Sequence, residues 1–377
     1  MKILITGTHL TPSLAVINEL QKVQGVEIVY IGRSTTMEGD NTKSVESQVL
    51  KELGVNFLPI ISGRLQRTFT FNIIPSLLKI PLGIIQSAFY LFKEKPDVVL
   101  SMGGYISVPV TICAWFYSIP IIIHEQTLIP GLANTINSWF ADRVAVSFSE
   151  NTIFNRNKTI LTGNPLRKEV LDPQNTKDEE LKEFINLAKK DKQPLILITG
   201  GNQGSHIINQ TISKSLEDLL SKAYVIHQTG DSKYKDFESL NEQRKLLKNP
   251  EKYLVRKWIN GGDWGIVLKN TNLAISRAGI NTLLELAYFS IPTIVIPLLS
   301  THNKEQCFNA EFFKKSGLVK IIFQNDLNPE ILNKNIEESL NNLSLLKQKA
   351  QPSKQLVIPD AASRLALEVI ILAKKPR

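Results

Sequence analysis

Short apolar runs rich in β-branched residues recur along the chain with helical stretches between them, and this alternation limits the fold more than any other feature. Ile3–Ile5, Val26–Ile31, Val98–Leu100, Ile121–Ile123 and Val144–Val146 read as strands in the first half. The pattern restarts after a polar stretch near Asp172–Lys192, with Leu195–Thr199, Ala223–Gln228, Leu273–Ile275 and Thr293–Ile296. Continuously apolar strands belong to parallel sheets covered by helices on both faces. The expected fold is therefore α/β, with two Rossmann-like parallel-sheet domains. A length of 377 residues agrees, since single domains usually run to about 100–200. Gly163-Asn164-Pro165 marks the hinge, giving domains at 1–163 and 164–350. The remainder, 351–377, carries a helix over Asp360–Lys375 expected to pack back on the first domain.

A formal net charge of +9 favours anionic partners: phosphates, nucleic acid or an anionic membrane face. The 44 Lys and Arg are scattered, and no zinc-finger or RNA-recognition signature occurs, so nucleic acid is not expected. Cys113 and Cys307 lie far apart, as reduced core thiols do. The start Met1-Lys2-Ile3-Leu4-Ile5 resembles a signal peptide, but Thr6 to His9 interrupt it, and a cytoplasmic protein is expected. Tyr105 to Ile123 approaches the length of a membrane span, yet Pro109 and Pro120 cut it into a helix, a turn and a buried strand.

Five turns at strand ends carry the chemistry. Gly200-Gly201-Asn202-Gln203-Gly204-Ser205 follows a strand and opens a helix, Ile207–Leu220, where backbone N–H groups can approach a phosphate; a ligand-free tight turn is the lesser alternative. Ser276-Arg277-Ala278-Gly279-Ile280-Asn281-Thr282 is a second such turn. Glu285 beyond it can accept from a ribose diol or stabilise the helix start through the macrodipole. There is no Walker lysine and no complete GxGxxG fingerprint. In the first half, Gly7-Thr8-His9, Met102-Gly103-Gly104-Tyr105 and His124-Glu125-Gln126 end strands at the edge where open α/β sheets bind ligands. His9 is either a general base or a helix cap near Pro12.

Read in order, Met102-Gly103-Gly104-Tyr105-Ile106-Ser107, His124-Glu125-Gln126, Gly163-Asn164-Pro165-Leu166-Arg167, Gly200-Gly201-Asn202-Gln203-Gly204, Ser276-Arg277-Ala278-Gly279 to Glu285, and Gln306 to Asn309-Ala310 closely resemble the MurG family across nearly the whole chain. These glycosyltransferases convert lipid I to lipid II in peptidoglycan synthesis. The resemblance implies a GT-B architecture, two Rossmann-like domains facing across a cleft, with the donor UDP-GlcNAc on the second domain and the acceptor mainly on the first. It implies an inverting reaction, in which the C4 hydroxyl of N-acetylmuramoyl-(pentapeptide)-pyrophosphoryl-undecaprenol attacks GlcNAc C1 and UDP leaves. No metal and no cofactor are implied. Backbone donors, a helix dipole and Arg167 would hold the leaving diphosphate.

By motif position, Ile259 resembles the residue whose backbone reads uracil, Glu285 the ribose ligand, and Glu305 with Gln306 the sugar-hydroxyl contacts. The implied donor set is completed by Thr8, Thr127, Gly201, Asn202, Gln203, Gly279, Ile280, Asn281 and Thr282. His9 resembles the proposed base; Gly103, Gly104 and Tyr105 resemble an acceptor-pyrophosphate loop, and Glu125 and Asn134 other acceptor-side positions. Three departures stand out. The first loop is Thr6-Gly7-Thr8-His9 where the family has GGTGGH, Thr127 replaces the Asn of HEQN, and Glu305 stands where His or Gln is usual.

The acceptor's lipid implies a peripheral protein at the cytoplasmic face of the membrane. Arg64, Arg67, Lys79, Lys93 and Lys95 flank the apolar stretch Phe69–Phe92, a composition suited to anionic lipid and equally to an amphipathic core helix. The competing readings are another GT-B enzyme, either a lipid glycosyltransferase or a UDP-GlcNAc 2-epimerase, and a catalytically silent nucleotide-sugar-binding homologue.

Overall fold

In the computed structural model the described residues are 1–33, 45–61, 63, 73–151, 153–201, 203–299 and 304–374, with backbone alone at 45–48 and 73–78. The chain divides into two compact units, Met1–Arg167 with Ile358–Arg377, and Lys168–Val357.

The first unit holds a seven-stranded sheet: β1 (Lys2–Thr6), β2 (Glu27–Gly32), β3 (Asn56–Pro59), β4 (Val98–Ser101), β5 (Ile121–Glu125), β6 (Arg143–Val146) and β7 (Thr159–Leu161). Their order is β3-β2-β1-β4-β5-β6-β7, and every pairing is parallel. The second unit holds six: β8 (Leu195–Thr199), β9 (Tyr224–Gln228), β10 (Tyr253–Arg256), β11 (Leu273–Ser276), β12 (Thr293–Val295) and β13 (Val319–Ile321). Their order is β10-β9-β8-β11-β12-β13, again all parallel.

Alternation along each central strand feeds two cores. Ile3 and Ile5 of β1 face one layer while Leu4 faces the other. Ile196 and Ile198 of β8 likewise part from Leu195 and Leu197. Because successive side chains point to opposite faces, a strand buried on both faces must be apolar at every position. The stretch Tyr105–Ile123 resolves into the helix Ser107–Phe116 and strand β5. No helix among the described residues is long and apolar enough to cross a membrane.

The chain re-enters the first unit at Ile358. There the helix Ala361–Ala373 packs on the helix Leu10–Leu20, and its Leu365, Ala366, Val369 and Leu372 join the layer of Ile3, Ile5, Val16 and Leu20. The preceding turn, Gln351–Leu356, packs on the helix Ile280–Tyr288 of the second unit. Leu365→Ala should therefore cost about 2–5 kcal/mol, the usual range for emptying a filled core site. Leu367→Ala on the same helix, at a side chain 56% exposed, should stay within about 0.5 kcal/mol. Urea unfolding of the two variants makes the comparison, and equal losses would show that this helix is not seated as described.

Candidate active site

Each sheet reverses its strand order once, between β1 and β4 in the first unit and between β8 and β11 in the second. Helices leave toward opposite faces at such a switch point, opening a crevice at the carboxyl ends of the two strands. The registers end with Thr6 opposite Ser101 and Thr199 opposite Ser276, all four fully buried. The loops beyond these residues are the candidate sites.

In the first unit, the backbone N–H of Thr8 donates to Gly103 O at 3.1 Å, tying the β1 loop to the β4 loop. Gly104 has φ +86°, and a Cβ there would lie 2.2 Å from Thr8 Oγ1, so only glycine lets the two loops meet. Asn134 lies beside the same loop, its Nδ2 2.9 Å from where a Gly103 Cβ would stand. That Nδ2 donates to His124 O at 2.9 Å and to Glu125 Oε2 at 3.0 Å, while its buried Oδ1 has no hydrogen-bond partner. Tyr105 is half-buried beside them. His9, Thr8, Gly103, Gly104, Tyr105, Glu125, Thr127 and Asn134 thus share the carboxyl edge of one sheet.

The Glu125 carboxylate is fully engaged internally. It accepts from Thr127 N at 2.9 Å, Gly131 N at 3.2 Å and Asn134 Nδ2, and lies 2.7 Å from Thr127 Oγ1. Thr127 Oγ1 is also 2.7 Å from Ile129 O, and its single proton can serve one acceptor at a time. Burial pushes the Glu125 carboxyl up, opposed by these donors.

His9 occupies the position before the helix Leu10–Leu20, yet its side chain makes no capping bond; its carbonyl accepts from Ser13 N and Ser13 Oγ. The residue is half-buried, and dense surroundings and then the Arg33 charge push its pKa down to about 4. At neutral pH it is an uncharged imidazole with a lone pair to offer.

In the second unit, the turn after β8 nests against the turn after β9. A Cβ on Gly204, at φ +73°, would fall 1.8 Å from Thr229 O, so backbone packs directly on backbone. Gly201 N donates to Thr199 Oγ1 at 3.1 Å. Gln203 is exposed, and Asn202 lies outside the described residues. Gly279 precedes the helix Ile280–Tyr288, which places Asn281 and Thr282 in its first turn. Glu285 is the sixth residue of this helix, past the first turn where the macrodipole acts, and is buried. Its Oε2 accepts the indole N–H of Trp264 at 2.7 Å, which ties it to the helix Gly261–Asn270 that follows Ile259. The helix Glu305–Lys315 opens with Glu305 and Gln306, and Gln306 Oε1 accepts Leu298 N at 2.9 Å. Arg167 is half-buried at the end of the first unit's main segment. Among the described residues no group of three or more His, Cys, Asp or Glu could hold a metal ion.

Residues 4–146 match the glycosyltransferase family 28 N-terminal domain, and residues 195–365 match the C-terminal domain of the same family. A Clostridium botulinum (strain 657 / Type Ba4) protein named UDP-N-acetylglucosamine--N-acetylmuramyl-(pentapeptide) pyrophosphoryl-undecaprenol N-acetylglucosamine transferase is 35% identical over 359 residues, 94% of this chain and 95% of that one. The chain belongs to this transferase family. A Treponema denticola member of the same name is also 35% identical, over 93% of this chain and 91% of its own. Among solved structures, Acinetobacter baumannii MurG superposes with a TM-score of 0.71 at 23% identity, covering 98% of this chain and 99% of that one. A Staphylococcus aureus MnaA-UDP structure gives 0.68 at 15% identity, covering 100% and 98%. Both share the fold, GT-B, with its two Rossmann-like parallel-sheet domains.

Two residues of the family member's second unit escaped the reading of motifs. Gln228 ends β9, at the ligand-binding edge, but a lone Gln carries no chemistry of its own. Trp264 follows a polar stretch as its first large apolar residue, and only the fold brings its indole to Glu285.

The buried histidines set the acid response. Asn209 Nδ2 donates to Thr229 O and Asp236 Oδ2, which leaves Asn209 Oδ1 facing His227 Nε2 at 3.0 Å; that nitrogen must carry the proton, and Nδ1 accepts from Tyr253 OH at 2.8 Å. Burial pushes His227 down to about 3 and His124 to about 4. These folded-state values lie below the unfolded value of about 6.5. The unfolded chain therefore takes up protons first, and stability present above pH 6.5 is lost as pH falls toward 4, at about 1.4 kcal/mol per pKa unit for each histidine. Glu125, raised by burial, acts in the opposite direction. The melting temperature should drop steeply between pH 6.5 and 4; a flat profile by scanning calorimetry would contradict the assignment.

Proposed function

We propose that the chain transfers GlcNAc from UDP-GlcNAc, with inversion, to the C4 hydroxyl of the MurNAc of undecaprenyl-pyrophosphoryl-MurNAc-pentapeptide, giving lipid II and UDP for peptidoglycan synthesis. The observation that carries the reading is family membership spanning both units, at 35% identity over 94% of the chain. Two features at the switch points support it: a turn leading into a helix N-terminus, suited to a diphosphate, and an uncharged imidazole just past β1.

In this reading the acceptor oxygen forms the bond to GlcNAc C1, the bond from C1 to the diphosphate oxygen breaks, and UDP departs with its electron pair. His9 takes the hydroxyl proton. Its low basicity in the free protein rises when an anionic pyrophosphate settles at the Gly103–Gly104 loop, because nearby negative charge favours imidazolium. Glu285 receives the ribose diol; Ile259 reads uracil; Gly201, Asn202, Gln203 and the turn Gly279–Thr282 hold the diphosphate with Arg167; Glu305 and Gln306 meet the sugar. Thr8 and Thr127 border the transferred sugar, and Tyr105, Glu125 and Asn134 shape the acceptor side. The domain limits 1–163, 164–350 and 351–377 remain our functional division. His9→Ala should lower kcat by about 10²–10⁴-fold. Affinity for UDP-GlcNAc should change little, since the donor belongs to the other domain. Transfer of labelled GlcNAc to a lipid I analogue, alongside calorimetry, tests this; near-parental turnover would remove His9 as the base.

The acceptor's lipid also calls for a membrane face. Ile85, Phe89 and Phe92 on the helix Ile73–Glu94, Trp115 and Phe116 on the helix Ser107–Phe116, and Trp139 on the helix Leu132–Phe140 are all more than half exposed. The three helices pack in series, the second touching both others. Lys93 and Lys95 are exposed at one end, Lys79 is half-buried, and Arg64, Arg67 and Phe69 lie outside the described residues. Apolar side chains beside cations suit anionic lipid at the cytoplasmic face. Burying one Phe is worth about 1.5–3 kcal/mol, so Phe89→Ser with Phe116→Ser should reduce partition to phosphatidylglycerol vesicles by more than about tenfold. Unchanged sedimentation with vesicles would remove this face from consideration.

A further inference from the structure

Gln228 lies at the carboxyl end of β9, buried, and reaches both neighbouring loops. Its Oε1 accepts the backbone N–H of Ile259 at 3.0 Å. On the other side its Nε2 lies 3.3 Å from Thr199 Oγ1 and 3.4 Å from Gly201 O. Thr199 Oγ1 accepts Gly201 N in turn, so its own proton is free to turn elsewhere and its second lone pair can face the amide. One side-chain amide thus joins the residue assigned to uracil and the turn assigned to the diphosphate.

The geometry points to Gln228 as a positioning residue that couples the base and diphosphate subsites of the donor, an inference that rests on the donor-site reading of Ile259 and Gly201. Uracil presents a carbonyl oxygen next to N3–H, and a single residue's backbone N–H and C=O match that pair. In the free protein the N–H half of this pair is occupied by Gln228 Oε1. A uracil carbonyl arriving at Ile259 shares that N–H, which Gln228 Oε1 keeps in place, while Gln228 Nε2 stays directed at Thr199 and the Gly201 loop. Binding of the base is thereby felt at the turn that cradles the diphosphate. No other described side chain donates to Gly201 O or accepts from Ile259 N.

The roles separate by substitution. Gln228→Met keeps the volume and removes both sets of hydrogen bonds. Gln228→Glu keeps an acceptor for Ile259 N–H but cannot donate to Gly201 O. Calorimetry of the full chain with uridine, UDP and UDP-GlcNAc, and transfer kinetics on a lipid I analogue, read the outcome. With Gln228→Met the KM for UDP-GlcNAc should rise about tenfold, the scale of losing one or two hydrogen bonds, while kcat stays within about threefold. With Gln228→Glu uridine affinity should stay within about twofold of the parent while UDP affinity falls about tenfold. Parental KM in Gln228→Met, or equal loss of uridine and UDP binding in Gln228→Glu, overturns the coupling. If Gln228→Met does not fold, the Gln228→Glu comparison decides alone, because it is a ratio within one protein. A parent chain that binds no UDP-GlcNAc at all would instead sink the donor-site reading itself.

Discussion

A parallel strand buried on both faces can offer a ligand only its ends, and that constraint organises both units of this chain. Every side chain of β1 beyond Lys2 and every one of β8 is buried. Chemistry is displaced into the loops that follow Thr6, Ser101, Thr199 and Ser276. Loops placed there must approach one another closely, and backbone alone is thin enough at the tightest points. Hence Gly104 lies against Thr8, and Gly204 against Thr229 O. The glycines in these strings serve loop-to-loop contact in the first instance, and the exposure of backbone N–H groups to a phosphate follows from it.

This explains which parts of the fold were legible. The central strands are continuously apolar, and all nine runs read as strands from the residues are strands in the structure. The four that escaped, β3, β7, β10 and β13, stand at or near sheet edges. Asn56–Pro59, Thr159–Leu161 and Val319–Ile321 are three or four residues long and only partly buried, so their pattern barely rises above that of a loop. β10 is well buried, yet its four residues sit between charged flanks, Lys252 and Lys257. Lengths of helices were read less well, since Ile207–Leu220 is two helices, His206–Ser213 and Leu216–Lys222, parted at Lys214 and Ser215. The apolar spacing continues through the break, so periodicity alone did not mark it.

The positions of the candidate site residues were legible where chemistry and turn coincide. His9, Gly103, Gly104 and Gly201 sit at strand ends that the sequence already marked, whereas the supports behind them were not visible. Glu125 illustrates the gap: a carboxylate beside a strand end reads as a ligand contact, but four internal donor groups surround it. Two of them come from Thr127, the residue that departs from HEQN. At this position the backbone N–H bonds the carboxylate, and the hydroxyl proton lies within reach of both the carboxylate and Ile129 O, a short-range arrangement within the loop from Glu125 to Gly131. The departure from HEQN is therefore compatible with an ordered loop.

The basicity of His9 follows the same economy of burial. An imidazole depressed to about 4 is a poor base, and in the free protein it stands ready to abstract nothing from a passing water. In the proposed reaction the acceptor brings its own pyrophosphate to the loop beside that ring. Negative charge within a few ångströms stabilises imidazolium, while the lipid and sugar exclude the solvent that would screen it. The base would then reach useful strength only in the complex that needs it. Water lacks that charge, so in this reading it would not raise the base, and electrostatics would protect the donor from hydrolysis. The dense surroundings that lower the histidine's pKa would also make its response to a bound anion large, because a charge in a low-dielectric surrounding acts on its neighbours with little screening.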